Sequence, residues 1–333
     1  LWTDDHGVMT VPVDRDSDGN RVAVPQKLEV TWQGRMHFDG QVARFYRQVL
    51  AAQGPRSLRT ELLEAFFSAP VALGSQATQT RPDVERIACH QGAFLENRSF
   101  EGPKLLSIDY LFAAELFLHQ PTGDVSGNGP GWLRSVRVDK GDHKLALPGG
   151  APPAAEAPKP PPGAEGLAYL GVRFERGLVG NLRRHEMIFE NQVRTIYGPV
   201  ATWDGQLDPD RPDTWGEQGV MLTSERLAVA EAPQMAKEER FYELEATGNT
   251  LVENTMFTAR AARLTYAQAK DLLILEGNGR TEARLFRQVR TGAVPSEAAA
   301  RKIFFWPSTN RVEVDEARFL DLTNPPSATP TKR

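Results

Sequence analysis

The chain has 333 residues, 40% of them hydrophobic and 25% charged, with a formal net charge of −4 and a pI near 6.0. That length suffices for one or two domains with a real core, and it lacks the clustered basic charge of a nucleic-acid binder. No apolar run approaches the roughly 20 residues of a membrane-spanning helix, and the one cysteine, Cys89, excludes an internal disulfide framework.

In residues 1–27 the clear feature is Asp14, Asp16 and Asp18 at alternate positions, followed by Gly19. This is how a calcium loop opens. The twelfth position of an EF-hand needs Glu, however, and here it is Pro25. The flanks read as strands, so a solvated hairpin turn is expected, with a calcium site on the three carboxylates as the alternative.

Leu28 to Phe38 is predicted as one strand. Leu28, Val30, Trp32, Met36 and Phe38 share a face, and Glu29, Thr31, Gln33, Arg35 and His37 share the other. Asp39-Gly40 signals a hairpin. The return strand, Gln41 to Leu50, puts Ala43, Phe45 and Val49 on one side. Further strands are expected at Ser57 to Phe67, Ile87 to Asn97 and Lys104 to Leu118, then a glycine turn from Gly123 to Trp132.

These segments return in order. Phe45-Tyr46-Arg47-Gln48-Val49 is echoed by Phe189-Glu190-Asn191-Gln192-Val193. Leu58 to Leu62 is echoed by Leu222 to Arg226, Gly92 to Asn97 by Gly248 to Asn254, and Gly127-Asn128-Gly129 by Gly277-Asn278-Gly279. Four echoes in one order argue for two copies of a module. The expected organisation is a first module over 1–147, a Pro/Ala/Gly-rich linker or loop over 148–166, a second module over 167–323 and a frayed tail over 324–333. Asp204 to Gly219 reads as a polar insertion. Pro295 to Lys302 is alanine-rich and predicts a short helix, followed by a hairpin from Ile303-Phe304-Phe305-Trp306 to Arg311–Leu322.

The most informative stretch is Met256 to Arg287. Its apolar runs Ala259 to Tyr266 and Asp271 to Leu275 are joined by Ala267-Gln268-Ala269-Lys270 and followed by a Gly-Asn-Gly turn. Ala, Gln, Lys and Leu here also suit a helix. Only about two turns fit before the glycines, so a β-hairpin is expected. The pattern Ala262-Arg263-Leu264-Thr265-Tyr266, a turn, then Lys270 to Gly277 resembles the OstA-like family, the soluble lipopolysaccharide-transport proteins of the LptA type. Met36 to Gly40 followed by Val42 to Val49 repeats it. The resemblance implies an all-β, antiparallel OstA-like β-jellyroll: open, built of repeated β-meanders, with long loops. It also implies a periplasmic or cell-envelope location, to which a segment preceding Leu1 would tether the chain. The partners implied are lipopolysaccharide or a related glycolipid, related roll proteins docked at edge strands, and head-to-tail self-association.

From the residues, the candidate lipid groove is Val30, Trp32, Phe38, Phe45, Val49, Phe257, Leu264, Leu273 and Leu275. The alternative is a sealed β-sandwich, structural or glycan-binding. No catalytic motif is present, so a non-enzyme without a cofactor is expected. The six histidines lack metal-ligand spacing. Cys89 and His90 are adjacent and would point to opposite faces of a strand, away from a nucleophile–base pair.

Overall fold

The computed structural model describes residues 1–15, 21–71, 83–139, 166–216, 218–232, 242–288, 296–309 and 311–320, with side chains except at 12–15, 21–25 and 317–320. The chain is all-β, antiparallel and jellyroll-like. In order the strands are β1 Trp2–Thr3, β2 Gly7–Arg15, β3 Arg21–Trp32, β4 Met36–Phe38, β5 Val42–Gln53, β6 Arg56–Phe67 and β7 Val84–Glu101. Then come β8 Lys104–Ala113, β9 Glu115–His119, β10 Asp124–Asn128, β11 Gly131–Asp139, β12 Gly166–Phe174, β13 Gly177–Asn181 and β14 Glu186–Val200. The last seven are β15 Val220–Glu231, β16 Tyr242–Asn254, β17 Phe257–Ala267, β18 Leu272–Glu276, β19 Ala283–Arg287, β20 Ser296–Trp306 and β21 Arg311–Leu320. Two compact units emerge: Leu1–Ser135 with Arg173–Phe189, and Val136–Val172 with Glu190–Arg333. The expected division placed 173–189 in the second module; here it groups with the first 135 residues. The linker expected at 148–166 lies, but for Gly166, outside the described residues, as does the tail at 324–333.

In the first unit β3 and β4 both pair with β5, which continues through β6 to β7; β7 pairs with both β8 and β9, and β9 leads through β10 to β13. β5 and β7 thus each have two halves with different neighbours. The bend between them is a β-bulge. Arg47 and Gln48 on β5 have φ of 69° and 45°, and Gln91 and Gly92 on β7 have 63° and 92°. The β5–β6 register slips between Tyr46 and Val49, and the β6–β7 register between Thr60 and Leu62, so the bulges align across three strands. The Gln48 amide donates to the Glu61 carboxylate at 3.3 Å inside this crease.

The second unit repeats the device. Asn191 and Gln192 on β14 have φ of 66° and 49°, and Gly248 and Asn249 on β16 have 79° and 50°. Register slips between Thr223 and Arg226 on β15 and between Thr247 and Thr250 on β16. From β15 the sheet runs through β16 to β17, which pairs with β18 and β19; both pair with β20, and β20 with β21. The hairpin expected around Ala267 is present, with Tyr266 opposite Leu273 and a 3-10 turn at Gln268–Lys270.

Five expectations are corrected. Leu28 to Phe38 is two strands, broken at Gly34, where the Gln33 and Gly34 amides donate to the Arg47 and Tyr46 carbonyls of the β5 bulge. Lys104 to Leu118 is likewise split, at Ala114, whose carbonyl accepts from the Gly92 amide. Half of the Gly123–Trp132 turn is strand β10, and its last two residues open β11. Gly127 sits there because an added Cβ would lie 2.9 Å from the Glu115 carbonyl oxygen. Of the helix expected over Pro295–Lys302, Pro295 lies outside the described residues and Ser296–Lys302 is instead the first half of β20, flanked by β19 and β21, with Ala298, Ala299 and Ala300 buried. Pairing on both sides outweighs alanine's helix propensity. The Asp204–Gly219 insertion, read as polar, also contributes core: Leu207 and Trp215 pack with Val136, Tyr169, Ile196 and Met221. The Trp215 indole N–H donates to the Asp208 carbonyl at 2.7 Å.

Candidate inner-face site

Because side chains at paired positions share a face, the registers define rows across each sheet. In the first unit Phe45, Leu63, Cys89 and Leu116 form one buried row before the crease. Val49, Thr60, Ala93 and Ala113 form the next, just beyond it, also buried. Ala51, Leu58, Leu95 and Leu111 follow on the same face, wholly apolar but only half-buried. The last row is Gln53, Arg56, Asn97 and Asp109. Asp109 accepts from the Ser135 hydroxyl at 2.6 Å, the Ser107 hydroxyl at 3.0 Å and the Asn97 amide at 3.4 Å. Arg56 donates to Asn97 at 3.1 Å. One face therefore grades from dry apolar through half-open apolar to polar.

The second unit is drier. Leu227, Ala246, Leu264, Leu275 and Ile303 form one row, each at most 1% exposed. Leu244, Tyr266, Leu273 and Phe305 form the next, also buried.

All nine candidate groove residues are at most 8% exposed. Val30 and Trp32 lie on β3, Phe38 on β4, and Phe45 and Val49 on β5. The Trp32 ring sits 5.2 Å from that of Phe45, and its N–H donates to the Asp5 carbonyl at 3.0 Å. Phe38 meets Phe67 edge-on at 5.9 Å. In the second unit Leu264 lies opposite Leu275, and Leu273 opposite Phe305. Phe257, from the other half of β17, reaches the Phe305 ring at 5.1 Å. The structure thus places Val30, Trp32, Phe38, Phe45 and Val49 in one unit, and the other four in the second. Sequence reasoning missed the half-open row Leu58, Leu95 and Leu111 and the polar row ending at Asp109. The signal for them was the alternation along β7 and β8, legible only once their registers to β6 are known.

The opposite face carries polar ladders. In the first unit Arg44 donates to Glu64 at 2.8 Å and to Asp39 at 3.0 Å. His90 then bridges Glu64, 3.3 Å from Nε2, and Glu115, 3.0 Å from Nδ1, and Asn128 donates to Glu115 at 2.5 Å. Asp39 is held down at about 2, first by the backbone N–H groups of Val42 and Gln41 and then by Arg44. The His90 hydrogen bond, followed by that of Asn128, lowers Glu115. In the second unit Arg263 joins Glu245 and Glu276 at 2.9 and 3.3 Å, and Lys302 joins Glu276 at 3.0 Å.

Cys89 and His90 do point to opposite faces. Cys89 is buried, and desolvation pushes its thiol up to about 12, far from a nucleophile's range. Among the described residues no group of three or more His, Cys, Asp or Glu is placed to hold a metal ion. Asp16 and Asp18 lie outside the described residues, and Asp14 belongs to β2. A surface depression of about 420 Å³, lined by Arg86, Phe117, His119 and Val179 among others, involves none of the nine groove residues. Among the described residues no helix is long and apolar enough to cross a membrane. Comparison of the sequence with protein-family models and with curated proteins gives no match.

Proposed function

We propose that this chain binds lipopolysaccharide or a related glycolipid along its inner β face and passes it, without catalysis, across the periplasm. The support is the graded face of the first unit. Its apolar rows suit acyl chains, and its polar row suits the sugars and phosphates that would stay at the rim. An acyl chain of about a dozen carbons loses roughly 10 kcal/mol on exposure to water, at about 0.8 kcal/mol per CH₂. A continuous apolar path removes that cost without chemistry. The resemblance of Ala262 to Gly277 to OstA-like units points the same way. Under this reading the open sides of β2 and β21 are where related roll proteins or further copies add strands.

A second reading, a sealed β-sandwich of the cell envelope, is favoured by one observation: the second unit's inner rows are filled by their own side chains, down to the Phe257–Phe305 contact. Native mass spectrometry of the chain purified from a lipopolysaccharide-producing host separates the two. Transport predicts a bound glycolipid mass that detergent strips away. A lipid-free protein that stays lipid-free after incubation with lipopolysaccharide supports the sandwich.

A further inference from the structure

On the far side of the sheet from the graded rows, the first unit gathers a cluster of aromatic rings. Arg59, Phe94 and Phe112 pair in one row there, and Tyr110 stands in the next row of β8. Trp132 lies beside Phe112 at 6.2 Å, nearly parallel at 24°, and meets Phe94 at 6.0 Å; Phe94 and Tyr110 are 5.8 Å apart. This face also carries the Arg44–Glu64–His90–Glu115 ladder and two single arginine–ring pairs, Arg35 over Tyr46 at 4.5 Å and Arg86 over Phe66 at 3.8 Å; here four rings cluster, each half-buried. Two guanidinium groups flank them, with Arg59 5.9 Å from the Phe94 centroid and Arg134 5.4 Å from that of Tyr110. Neither arginine has a carboxylate partner among the described residues. The nearby acid, Glu96, is already engaged by Arg98 at 2.8 Å. The Nε of Arg134 is buried with no hydrogen-bond partner, a state that costs free energy.

Aromatic rings accept the C–H faces of pyranose rings, and unneutralised guanidinium groups seek carboxylate or phosphate in a fixed planar geometry. We propose that this patch binds a soluble acidic glycan, its sugar rings against Trp132, Phe112 and Phe94 and its anionic groups on Arg59 and Arg134. Two arginines among four rings lack the extended run of basic side chains that tracks a nucleic-acid backbone. The site lies on the face opposite the inferred lipid path and does not depend on it.

The test is isothermal titration of the whole chain with hexagalacturonate and with neutral maltohexaose of equal length. The acidic hexamer should bind at least tenfold more tightly. Arg59→Glu, at an exposed position, should weaken it at least tenfold, and Trp132→Leu should weaken it with the circular dichroism unchanged; if that variant misfolds, Arg59→Glu decides. Raised salt should weaken it too. Equal binding of both hexamers, binding indifferent to Arg59→Glu, or no binding overturns the proposal. So does Arg59-dependent capture of phosphatidylglycerol vesicles without hexagalacturonate binding. Because the probe has no acyl chain, its failure leaves the glycolipid reading standing.

Discussion

Gly248 shows how one residue sets the course of a strand. It holds φ of 79°, and an added Cβ would lie 2.7 Å from that of Glu225 in the facing bulge of β15. Gly248→Ala should therefore cost more than the roughly 1 kcal/mol of a simple left-handed penalty, read as a lower midpoint in urea with the slope unchanged. Cys89 and Tyr197 make a second prediction. Burial raises the thiol from 9.0 and the phenol from 10.0, each to about 12, with Asp139 adding to the effect on Tyr197. A raised acid is neutral in the fold and ionises first in the unfolded chain. Its stabilisation is whole below the unfolded value and is lost as pH rises through the folded one. Melting temperature should thus begin to fall above about pH 9 and keep falling to about 12, while a thiol reagent at pH 8 labels Cys89 only after denaturation. Rapid labelling of the native protein contradicts this placement.

At the scale of elements, the repeated unit is a long strand bent at a bulge, and three of the four sequence echoes mark the bulges; the Gly-Asn-Gly echo instead joins the end of β10 to a turn after β18. Phe45–Val49 and Phe189–Val193 each enclose two residues of positive φ, and the echoes at Gly92 and Gly248 each begin at one. Recurrence was legible because a left-handed bend admits few side chains, mostly Gly, Asn and Gln here. Alternation likewise exposed β3, β5 and β17. It failed at β20, where Ala298 to Ala300 carry no period, and at β10, where four glycines between 123 and 131 looked like a turn. Those glycines answer crowding from distant parts of the chain, as Gly127 does beneath Glu115 and Gly129 beneath Glu175, and a single chain segment does not display its neighbours. The Asp39–Arg44–Glu64–His90–Glu115 ladder is invisible in sequence for the same reason. It predicts acid sensitivity. Asp39 has a folded value near 2 against an ordinary 3.8, so its stabilisation is present above about pH 4 and lost as pH falls toward 2. Asp39→Asn should flatten the melting-temperature profile between pH 4 and 2 and lower the plateau above it; identical profiles contradict the argument.

At the scale of the whole molecule, function rests on whether an apolar β face admits a ligand or only packs itself. The nine candidate groove residues were legible as inward-facing, since period-2 alternation reports burial. It does not report whether burial comes from other side chains or from a bound lipid, and the half-open row Leu58, Leu95 and Leu111 appears only with the cross-strand registers. That row and its polar border at Asn97 and Asp109 are where the glycolipid reading is most exposed to test. The most direct measurement places a photo-crosslinking amino acid at Leu95, Leu111 and Leu273, and at exposed Val8 as a control, in cells making labelled lipopolysaccharide. The account predicts adducts at Leu95 and Leu111 and none at Val8; no adduct at any of the three inner positions would contradict it.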